Sequence, residues 1–382
     1  MRILLVNANG ADVTAGGAER YVVDLGSGLR DRGHDVRLLA AFPQRRDPLG
    51  VPTTILHGRD WRDSVPRRIA NRVGELGPYA PRAARELLAQ TAPDLVHTNT
   101  LPGITTAIWT ASRALGIPVV HTLHDYYLLC ARTSLTRRNG SPCPTDPVFC
   151  GFRSKRLVPH AAGVSQVIAV SEFILGMHRS VFDQAGSSVV RLPLGLDVTP
   201  PATGPSDPPR TIGFLGRLEH EKGVGLLIEA AGPLRERGFM LRIAGDGNLR
   251  PAVERAARAG MLLYAGVVGD QAKTEFIGAS DVGILPSLWL EPGGPPYSPL
   301  EWLAARRPVL ASTRGGLGET ADIFPGVEPF EPTVAGLVDA ATRAAEPRWF
   351  ASAVGALERL DPDAARTHWL DEHERIYHRA TG

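Results

Sequence analysis

The sequence predicts two α/β domains, each built on a doubly wound parallel sheet. Apolar strand-like runs alternate with amphipathic helical patterns along nearly all of the 382 residues, which is typical of parallel sheets covered by helices on both faces. The chain is also longer than one typical hydrophobic core. A proline-rich segment at 198–209 interrupts the alternation and is typical of a linker. We therefore place a first domain at residues 1–197 and a second at 210–363.

Six strands are predicted in the first domain. The opening strand Arg2–Asn7 is followed by a glycine-rich loop, after which apolar side chains recur at helical spacing until about Gly33. The other strands are predicted at Val36–Ala41, Asp94–Thr98, Pro118–Leu123, Gln166–Val170 and Val189–Leu192. Ligands of open parallel sheets bind beyond the carboxyl ends of the strands. The residues that follow these strands are therefore the candidates for function.

Five strands and a last helix are predicted after the linker. The strands are predicted at Thr211–Leu215, Met240–Ala244, Met261–Ala265, Val282–Leu285 and Pro308–Ser312. The last amphipathic pattern runs from Ala364 to Arg379. Asp361 and Asp363 stand just before it, and an N-cap explains them more simply than a metal-binding Asp-x-Asp site does. We expect no catalytic metal.

Composition and charge narrow the functional classes. Hydrophobic residues make up 43% of the chain and charged residues 21%, a globular composition that argues against a disordered chain. No run reaches the roughly 18 apolar residues of a membrane span. The N-terminal strand has no small-residue cleavage site and three cysteines cannot form a disulfide framework, so we expect a cytoplasmic protein without a signal peptide. The net charge of +2 divides into +8 over residues 1–196 and −6 over the remainder. The basic half either meets an anionic partner or is an ordinary solvated surface.

Two cations follow the first strand of the second domain. Gly216 ends that strand, and Arg217 and Lys222 stand just before a helix that begins near Val224. Cations beside a helix N-terminus bind anions, and a pyrophosphate suits both charges. The alternative is that both side chains are solvated loop charges.

A loop bracketed by two carboxylates follows the strand Val282–Leu285. Glu291 and Glu301 suit pairs of sugar hydroxyls, and Gly293 and Gly294 allow a backbone to approach a ligand. The alternative for Glu301 is a carboxylate stabilised by the dipole of its helix.

His124 and a Gly-Gly turn are the candidates of the first domain. His124 stands before Asp125 at the end of the strand Pro118–Leu123, and a His–Asp pair there points to function more than a lone structural histidine does. Gly16 and Gly17 open the first helix, as in many α/β domains.

Taken together, these motifs resemble the retaining nucleotide-sugar glycosyltransferases of glycosyltransferase family 4, which have the GT-B fold. The resemblance covers almost the whole chain, and its specificity lies in the order and joint presence of the motifs. It rests on Gly16–Gly17, His124, Ala169–Glu172, Pro193–Asp197, Gly216–Leu218, Lys222–Gly223, Ala244–Gly247 and Glu291 to Glu301. It implies two Rossmann-like domains that face each other across a cleft, with the segment 364–382 returning to the first domain.

The resemblance also implies a role for each candidate. Arg217 and Lys222 would hold the donor diphosphate and stabilise it as the leaving group. Glu301 would bind the ribose hydroxyls and Glu291 those of the transferred sugar, while His124 would lie beside the anomeric centre. Further donor contacts are implied at Gly17, Gly216, Gly266, Val268, Gly293, Gly294, Tyr297 and Ser298.

The chain departs from the family pattern in its glutamate loop. Glu291 and Glu301 are ten positions apart, where relatives usually have eight. The loop also carries three prolines, which cannot donate backbone hydrogen bonds. The departure bears on the role of Glu291 and on which sugar is selected.

A cysteine loop is the second departure. Some relatives carry four clustered cysteines, whereas here Arg153 occupies the place of the fourth, and His160 is a candidate replacement ligand. The matching three are Cys130, Cys143 and Cys150. A structural zinc site prefers four ligands, so a metal here is an open alternative.

We therefore expect a retaining enzyme that moves a hexose-type sugar from a nucleoside-diphosphate sugar to an acceptor hydroxyl. The donor is expected to be a UDP-sugar, with GDP and dTDP as alternatives; the acceptor is a natural product, glycan or lipid intermediate, and neither a cofactor nor nucleic acid is expected. An epimerase and a non-catalytic nucleotide-sugar sensor stay open. A phosphorylase is disfavoured, because it usually needs a pyridoxal-binding lysine and neither Lys222 nor Lys273 lies in a matching motif. An oxidoreductase is disfavoured because Gly245–Gly247 is followed by Arg250 where the dinucleotide fingerprint has its third glycine.

A basic segment of the first domain is a candidate for contact with an anionic membrane or acceptor. Nine arginines lie from Arg45 to Arg85, and apolar residues from Trp61 to Leu76 recur at helical spacing. This predicts an amphipathic helix with a cationic face, which would bring a cytoplasmic protein to the inner membrane face. The alternative is a solvated helix packed on the domain.

Overall fold

The protein forms two compact units. The computed structural model describes residues 1–12, 16–44, 48–57, 82–136, 143, 148–193, 201, 203–294 and 296–382. The first unit comprises Met1–Leu135, Pro144–Val190 and His368–Gly382, and the second comprises Thr136–Cys143 and Arg191–Thr367. The basic segment predicted to be helical from Trp61 to Leu76 lies outside the described residues, as do Leu194–Asp197 and part of the proline-rich linker.

Among the described residues, seven parallel strands form the sheet of the first unit. The strands are β1 Arg2–Asn7, β2 Asp35–Ala40, β3 Thr53–Ile55, β4 Leu95–Thr98, β5 Val119–Leu123, β6 Gln166–Ala169 and β7 Gly186–Val189. Their order across the sheet is β3-β2-β1-β4-β5-β6-β7. The helices are α1 Gly17–Asp31, α2 Arg82–Thr91, α3 Ala107–Ala114, α4 Val148–Leu157 and α5 Glu172–His178.

The strand order of the first unit reverses between β1 and β4. Ile3 to Val6 of β1 are at most 1% exposed, as expected for the central strand of a sheet covered on both faces. At the carboxyl end, Asn7 accepts hydrogen bonds from the backbone nitrogen and the hydroxyl of Thr100, at 3.1 and 2.6 Å. Asn99 also follows β4 at this edge, where open sheets bind ligands.

The sheet of the second unit has six parallel strands within the described residues. The strands are β8 Thr211–Leu215, β9 Met240–Ala244, β10 Leu263–Tyr264, β11 Val282–Leu285, β12 Val309–Ser312 and β13 Val327–Phe330. Their order is β10-β9-β8-β11-β12-β13, so the reversal lies between β8 and β11. The helices are α6 Val224–Glu236, α7 Arg250–Arg258, α8 Asp270–Gly278, α9 Tyr297–Ala304, α10 Thr320–Ile323, α11 Val334–Ala344, α12 Pro347–Leu357 and α13 Pro362–Thr381.

Helix α9 rests on the sheet through one indole ring. Trp302 is fully buried and lies over Gly213 of β8 and Gly283 of β11, which are paired neighbours in the sheet. A Cβ atom at either glycine would come within 2.5 Å of the ring. The two glycines therefore make room for the ring, and this contact sets the position of α9.

Helix α13 begins at a capping aspartate and ends in the first unit. The backbone nitrogens of Asp363 and Ala364 both donate to Asp361 Oδ1 at 3.0 Å, which confirms the predicted N-cap. Further along, Trp369 packs edge-on against Tyr21 of α1, with ring centroids 5.3 Å apart. His373 Nε2 lies 2.5 Å from the Tyr21 hydroxyl.

The structure confirms the predicted fold class and shifts some strand bounds. The strand predicted at Val189–Leu192 lies at Gly186–Val189, where small polar residues give no apolar signal. The strand predicted at Met261–Ala265 is limited to two residues. The edge strands β3 and β13 were not predicted, because each is only three or four residues long and, within the described part of the chain, pairs with a single strand.

Candidate functional site

The loop after β8 is tied by backbone hydrogen bonds to the loop after β11. Leu288 N donates to the carbonyl oxygen of Glu221 at 2.9 Å. Gly223 has φ 74°, and a Cβ there would lie 1.9 Å from the carbonyl oxygen of Pro286. Only glycine fits this left-handed conformation and close approach without strain. The contact brings Lys222, which precedes Gly223, to the loop that carries Glu291.

Lys222 and Glu291 form a buried ion pair. Lys222 Nζ lies 2.6 Å from Glu291 Oε1, and their side chains are 25% and 6% exposed. Ser287 Oγ donates to the same oxygen at 2.6 Å. Burial by itself would raise the pKa of Glu291, but the charge of Lys222 and the hydrogen bonds from Lys222 and Ser287 outweigh it, so this pKa lies below its ordinary value. Glu291 is therefore a carboxylate at neutral pH.

Two further side chains shape this cluster. The ring of Trp289 lies against Lys222, with the ammonium 5.1 Å from the ring centroid, a cation–π contact that restricts the lysine. Arg217 is 65% exposed and its nearest acid is Glu221, at 3.5 Å. The loop thus holds one partly buried cation and one exposed cation at the carboxyl end of β8, next to the N-terminus of α6.

Glu301 lies in a second ion pair, on helix α9. Lys273 Nζ of α8 is 2.9 Å from Glu301 Oε1. At the start of the same helix, Ser298 Oγ donates to the carbonyl oxygen of Leu215 at 3.4 Å, and Tyr297 is half-buried. Since Leu215 ends β8, the hydrogen bond from Ser298 fixes the helix start near the Arg217 loop.

The loops after β9 and β10 complete this edge of the second sheet. Gly245 N donates to the carbonyl oxygen of Gly266 at 2.8 Å. A Cβ at Gly245 would lie 1.8 Å from the carbonyl oxygen of Gly216, so backbone packing explains this glycine without a dinucleotide site. Val268 is half-buried, whereas Gly293 and Gly294 are buried within the glutamate loop.

His124 is fixed at the end of β5 by two neighbours. Its Nε2 lies 3.0 Å from Asn99 Oδ1, and its ring packs edge-on against Tyr21, with centroids 4.5 Å apart. Burial, with a smaller contribution from His373, lowers the pKa of His124 to about 3. The ring is therefore neutral at neutral pH. Because an amide oxygen only accepts, the proton is on Nε2 and the lone pair on Nδ1.

Gly16 and Gly17 of the Gly-Gly turn lie about one turn of helix before Tyr21. Gly16 is extended, and Gly17 is the first residue of α1; both are exposed. The turn therefore presents backbone at the carboxyl edge of the first sheet, on the helix that also packs against His124.

The cysteine loop is organised around an arginine. Arg153 is 3% exposed, its guanidinium lies 4.2 Å from the centroid of the Tyr127 ring, and it donates to the carbonyl oxygen of Tyr127. His160 Nδ1 lies 2.7 Å from Thr106 Oγ1. Cys130 is buried, Cys143 and Cys150 are half-buried, and all three are free thiols. Within the described residues, no group of three or more His, Cys, Asp or Glu residues is arranged to hold a metal.

The structure thus brings together the candidates of the second unit in two clusters. Lys222 and Glu291 are in contact and Arg217 lies in the same loop, while Glu301 is paired separately. Ser287, Lys273 and Asn99 contact candidate residues but were not predicted from the sequence. Ser287 and Asn99 each follow a strand of a sheet, and Lys273 is one of only three lysines in the chain; both features could have indicated them.

Comparisons with known proteins show which family the chain belongs to. Residues 15–199 match the sequence profile of Glycosyltransferase Family 4, and residues 209–346 match that of Glycosyl transferases group 1. The chain is 31% identical over 324 residues to a phosphatidyl-myo-inositol mannosyltransferase of Mycolicibacterium smegmatis, covering 82% of this chain and 76% of that protein. It is 27% identical over 351 residues to a glycogen synthase of Mycobacterium tuberculosis, covering 84% and 80%.

Solved structures share the fold. The sucrose-phosphate synthase of Thermosynechococcus elongatus superposes with a TM-score of 0.73 at 18% identity, covering 99% of this chain and 98% of that chain. The two parallel-sheet units are those of the GT-B fold. The chain belongs to glycosyltransferase family 4.

Proposed function

We propose that the protein is a retaining glycosyltransferase that moves a hexose from a nucleoside-diphosphate sugar to an acceptor hydroxyl. The observation that carries the proposal is the pair of cations at the carboxyl end of β8. Lys222 is held in place by Glu291, and Arg217 is exposed in the same loop, where it pairs with Glu221. Together with the N-terminus of α6, they form a site for a diphosphate.

The reaction breaks the bond between the sugar and the diphosphate. Negative charge grows on the leaving diphosphate, and Arg217 and Lys222 stabilise it as it forms. A phosphate oxygen of the leaving group takes the proton of the acceptor hydroxyl, so the acceptor attacks from the face that the diphosphate leaves. The anomeric configuration is retained by this route, and no metal ion is needed as counter-charge.

Glu291 has a double role in this proposal. Its Oε1 accepts from both Lys222 and Ser287, so it fixes the lysine before the donor arrives. When Lys222 turns to the diphosphate, the carboxylate becomes available to a hydroxyl of the transferred sugar. His124, neutral and oriented by Asn99, offers a hydrogen-bond acceptor to the sugar and does not act as a general acid.

We propose a UDP-sugar first, with GDP and dTDP as alternatives, and a natural product, glycan or lipid intermediate as acceptor. Contact with an anionic membrane rests on the basic segment that includes Trp61–Leu76, which lies outside the described residues. Among the described residues, no helix has the length and apolar character needed to cross a membrane.

The test is a transfer assay with a panel of labelled UDP-, GDP-, dTDP- and ADP-hexoses and a cell extract as acceptor source. We expect transfer from one nucleotide class, undiminished by EDTA, with the donor's anomeric configuration in the product by NMR. Arg217→Ala should reduce transfer by roughly a hundredfold. Arg258→Ala, which removes a cation 75% exposed, is the matched control. Inversion of configuration, or loss of transfer with EDTA and its return with a divalent cation, would overturn the mechanism.

A further inference from the structure

The ion pair between Lys273 and Glu301 has no part in the reaction described above. Lys273 lies on α8 and Glu301 on α9, and the ammonium is 2.9 Å from Oε1. The side chains are 21% and 12% exposed, so water screens this pair far less than it screens a surface pair. The contact joins two helices that border the same edge of the second sheet.

The packing of the two helices makes this contact specific. Phe276, one turn after Lys273, packs against Trp302, the residue after Glu301, with ring centroids 6.2 Å apart. Trp302 is itself fixed on Gly213 and Gly283. The ring contact therefore packs the two helices together next to the lysine and the glutamate, and the ion pair holds Oε1 of the carboxylate against Lys273.

Lysine is rare in this chain. Lysine and arginine together number 42, and only Lys155, Lys222 and Lys273 are lysines. Two of these three are paired with Glu291 and Glu301. A lysine makes a compact point contact, whereas the arginine fork tends to bind a carboxylate through both oxygens. The contact of Lys273 is with Oε1.

We propose that Lys273 is a positioning residue that holds the Glu301 carboxylate in the orientation that binds the ribose hydroxyls of the donor. The inference rests on the proposed function, because it takes a nucleoside diphosphate as the ligand of this edge. If Lys273 has this role, the preference of the protein for a ribonucleotide over its 2′-deoxy analogue depends on Lys273. A ribose hydroxyl that donates to a carboxylate makes a charge-assisted hydrogen bond, and this bond depends on where the carboxylate points.

The role of Lys273 is tested by isothermal titration calorimetry of the full chain with UDP and 2′-deoxy-UDP, and with the corresponding GDP and ADP pairs. The wild type should bind the ribonucleotide of one pair at least about tenfold more tightly. Lys273→Met should bring this ratio to within about threefold of one, because the ribonucleotide loses affinity while the deoxynucleotide does not. Lys155→Met, which makes the same change at an exposed lysine, should leave the ratio unchanged.

A double mutant separates positioning from a general structural effect. Glu301→Gln should lower the same ratio, and Lys273→Met added to Glu301→Gln should change it no further, because the lysine acts through the glutamate. An undiminished ratio in Lys273→Met, or additive losses in the double mutant, would overturn the inference while leaving the proposed function standing. Absence of any nucleotide binding by the wild type would instead overturn the proposed function, and the inference with it.

Discussion

At the scale of single residues, the ion pair of Lys222 and Glu291 is expected to contribute to stability as well as to the proposed function. Its carboxylate is 6% exposed, and removing one partner of a buried pair leaves an uncompensated charge, which costs about 3–5 kcal/mol. We expect Lys222→Met to lower the free energy of unfolding by about that amount, measured by urea denaturation. Loss of transfer in this variant would therefore mix unfolding with chemistry, and Arg217 is the better probe of catalysis.

The double variant Lys222→Met/Glu291→Gln provides the control. It removes both charges, so most of the lost stability should return, while nucleotide binding should stay weak. If the double variant is as unstable as Lys222→Met, burial of an unpaired carboxylate is not the cause of the loss.

At the scale of elements, helix α9 depends on two glycines in neighbouring strands. A Cβ at Gly283 would lie 2.5 Å from the indole of Trp302. We expect Gly283→Ala to lower the free energy of unfolding by about 1–3 kcal/mol, because the ring must move in a packed core. The affinity for the nucleotide should fall as well, since Glu301 lies on the same helix.

A second glycine gives the matched control for this substitution. Gly225 lies in α6 and has no atom within 4 Å of a Cβ placed there, so Gly225→Ala should be neutral or stabilising by up to about 1 kcal/mol. Equal stability of the two alanine variants would show that the indole does not press on the sheet as described.

Buried histidines of the first unit, one of which lies on helix α13, have depressed pKa values. Burial lowers the pKa of His373 to about 4 and that of His121 to about 3. Below about pH 6.5 the unfolded chain therefore binds more protons than the folded one, and stability falls as the pH falls. The contribution is complete above that pH, and each such histidine costs about 2 kcal/mol by pH 5.

Urea denaturation at pH 7, 6 and 5 measures how steeply the free energy of unfolding falls with pH. His373→Gln should flatten it by about the contribution of one histidine, although the loss of the contact with Tyr21 makes the variant less stable at pH 7. His368→Gln changes an exposed histidine of the same helix, 75% exposed, and should keep the wild-type slope. Identical slopes in all three proteins would contradict the assignment.

At the scale of the whole molecule, the fold could be predicted because periodicity and strand ends determine it. The interior strands β1, β8, β9 and β11 have the predicted bounds, since mostly apolar runs mark strands that have neighbours on both sides in a parallel sheet. Short edge strands and the small polar strand β7 carry no such signal. Periodicity is a local property, so it does not show which side chains meet across a sheet.

For the candidate site too, the positions of the residues could be predicted from the sequence, but their contacts could not. Arg217, Lys222 and Glu291 could be predicted because they follow strands, and ligands bind there. That Lys222 contacts Glu291, or that Lys273 on another helix contacts Glu301, depends on packing between segments 69 and 28 residues apart. Only the three-dimensional structure shows such pairings, and they are what the proposals on Glu291 and Lys273 rest on.

The most direct test of the central claim is the binding of nucleoside diphosphates to the cations at the end of β8. Isothermal titration of the wild type with UDP, GDP, dTDP and ADP should find at least one that binds. Arg217→Ala should weaken this binding about tenfold or more, and Arg258→Ala should not. If none of the four binds, or if Arg217→Ala binds as tightly as the wild type, the loop after β8 is not the diphosphate site of a glycosyltransferase.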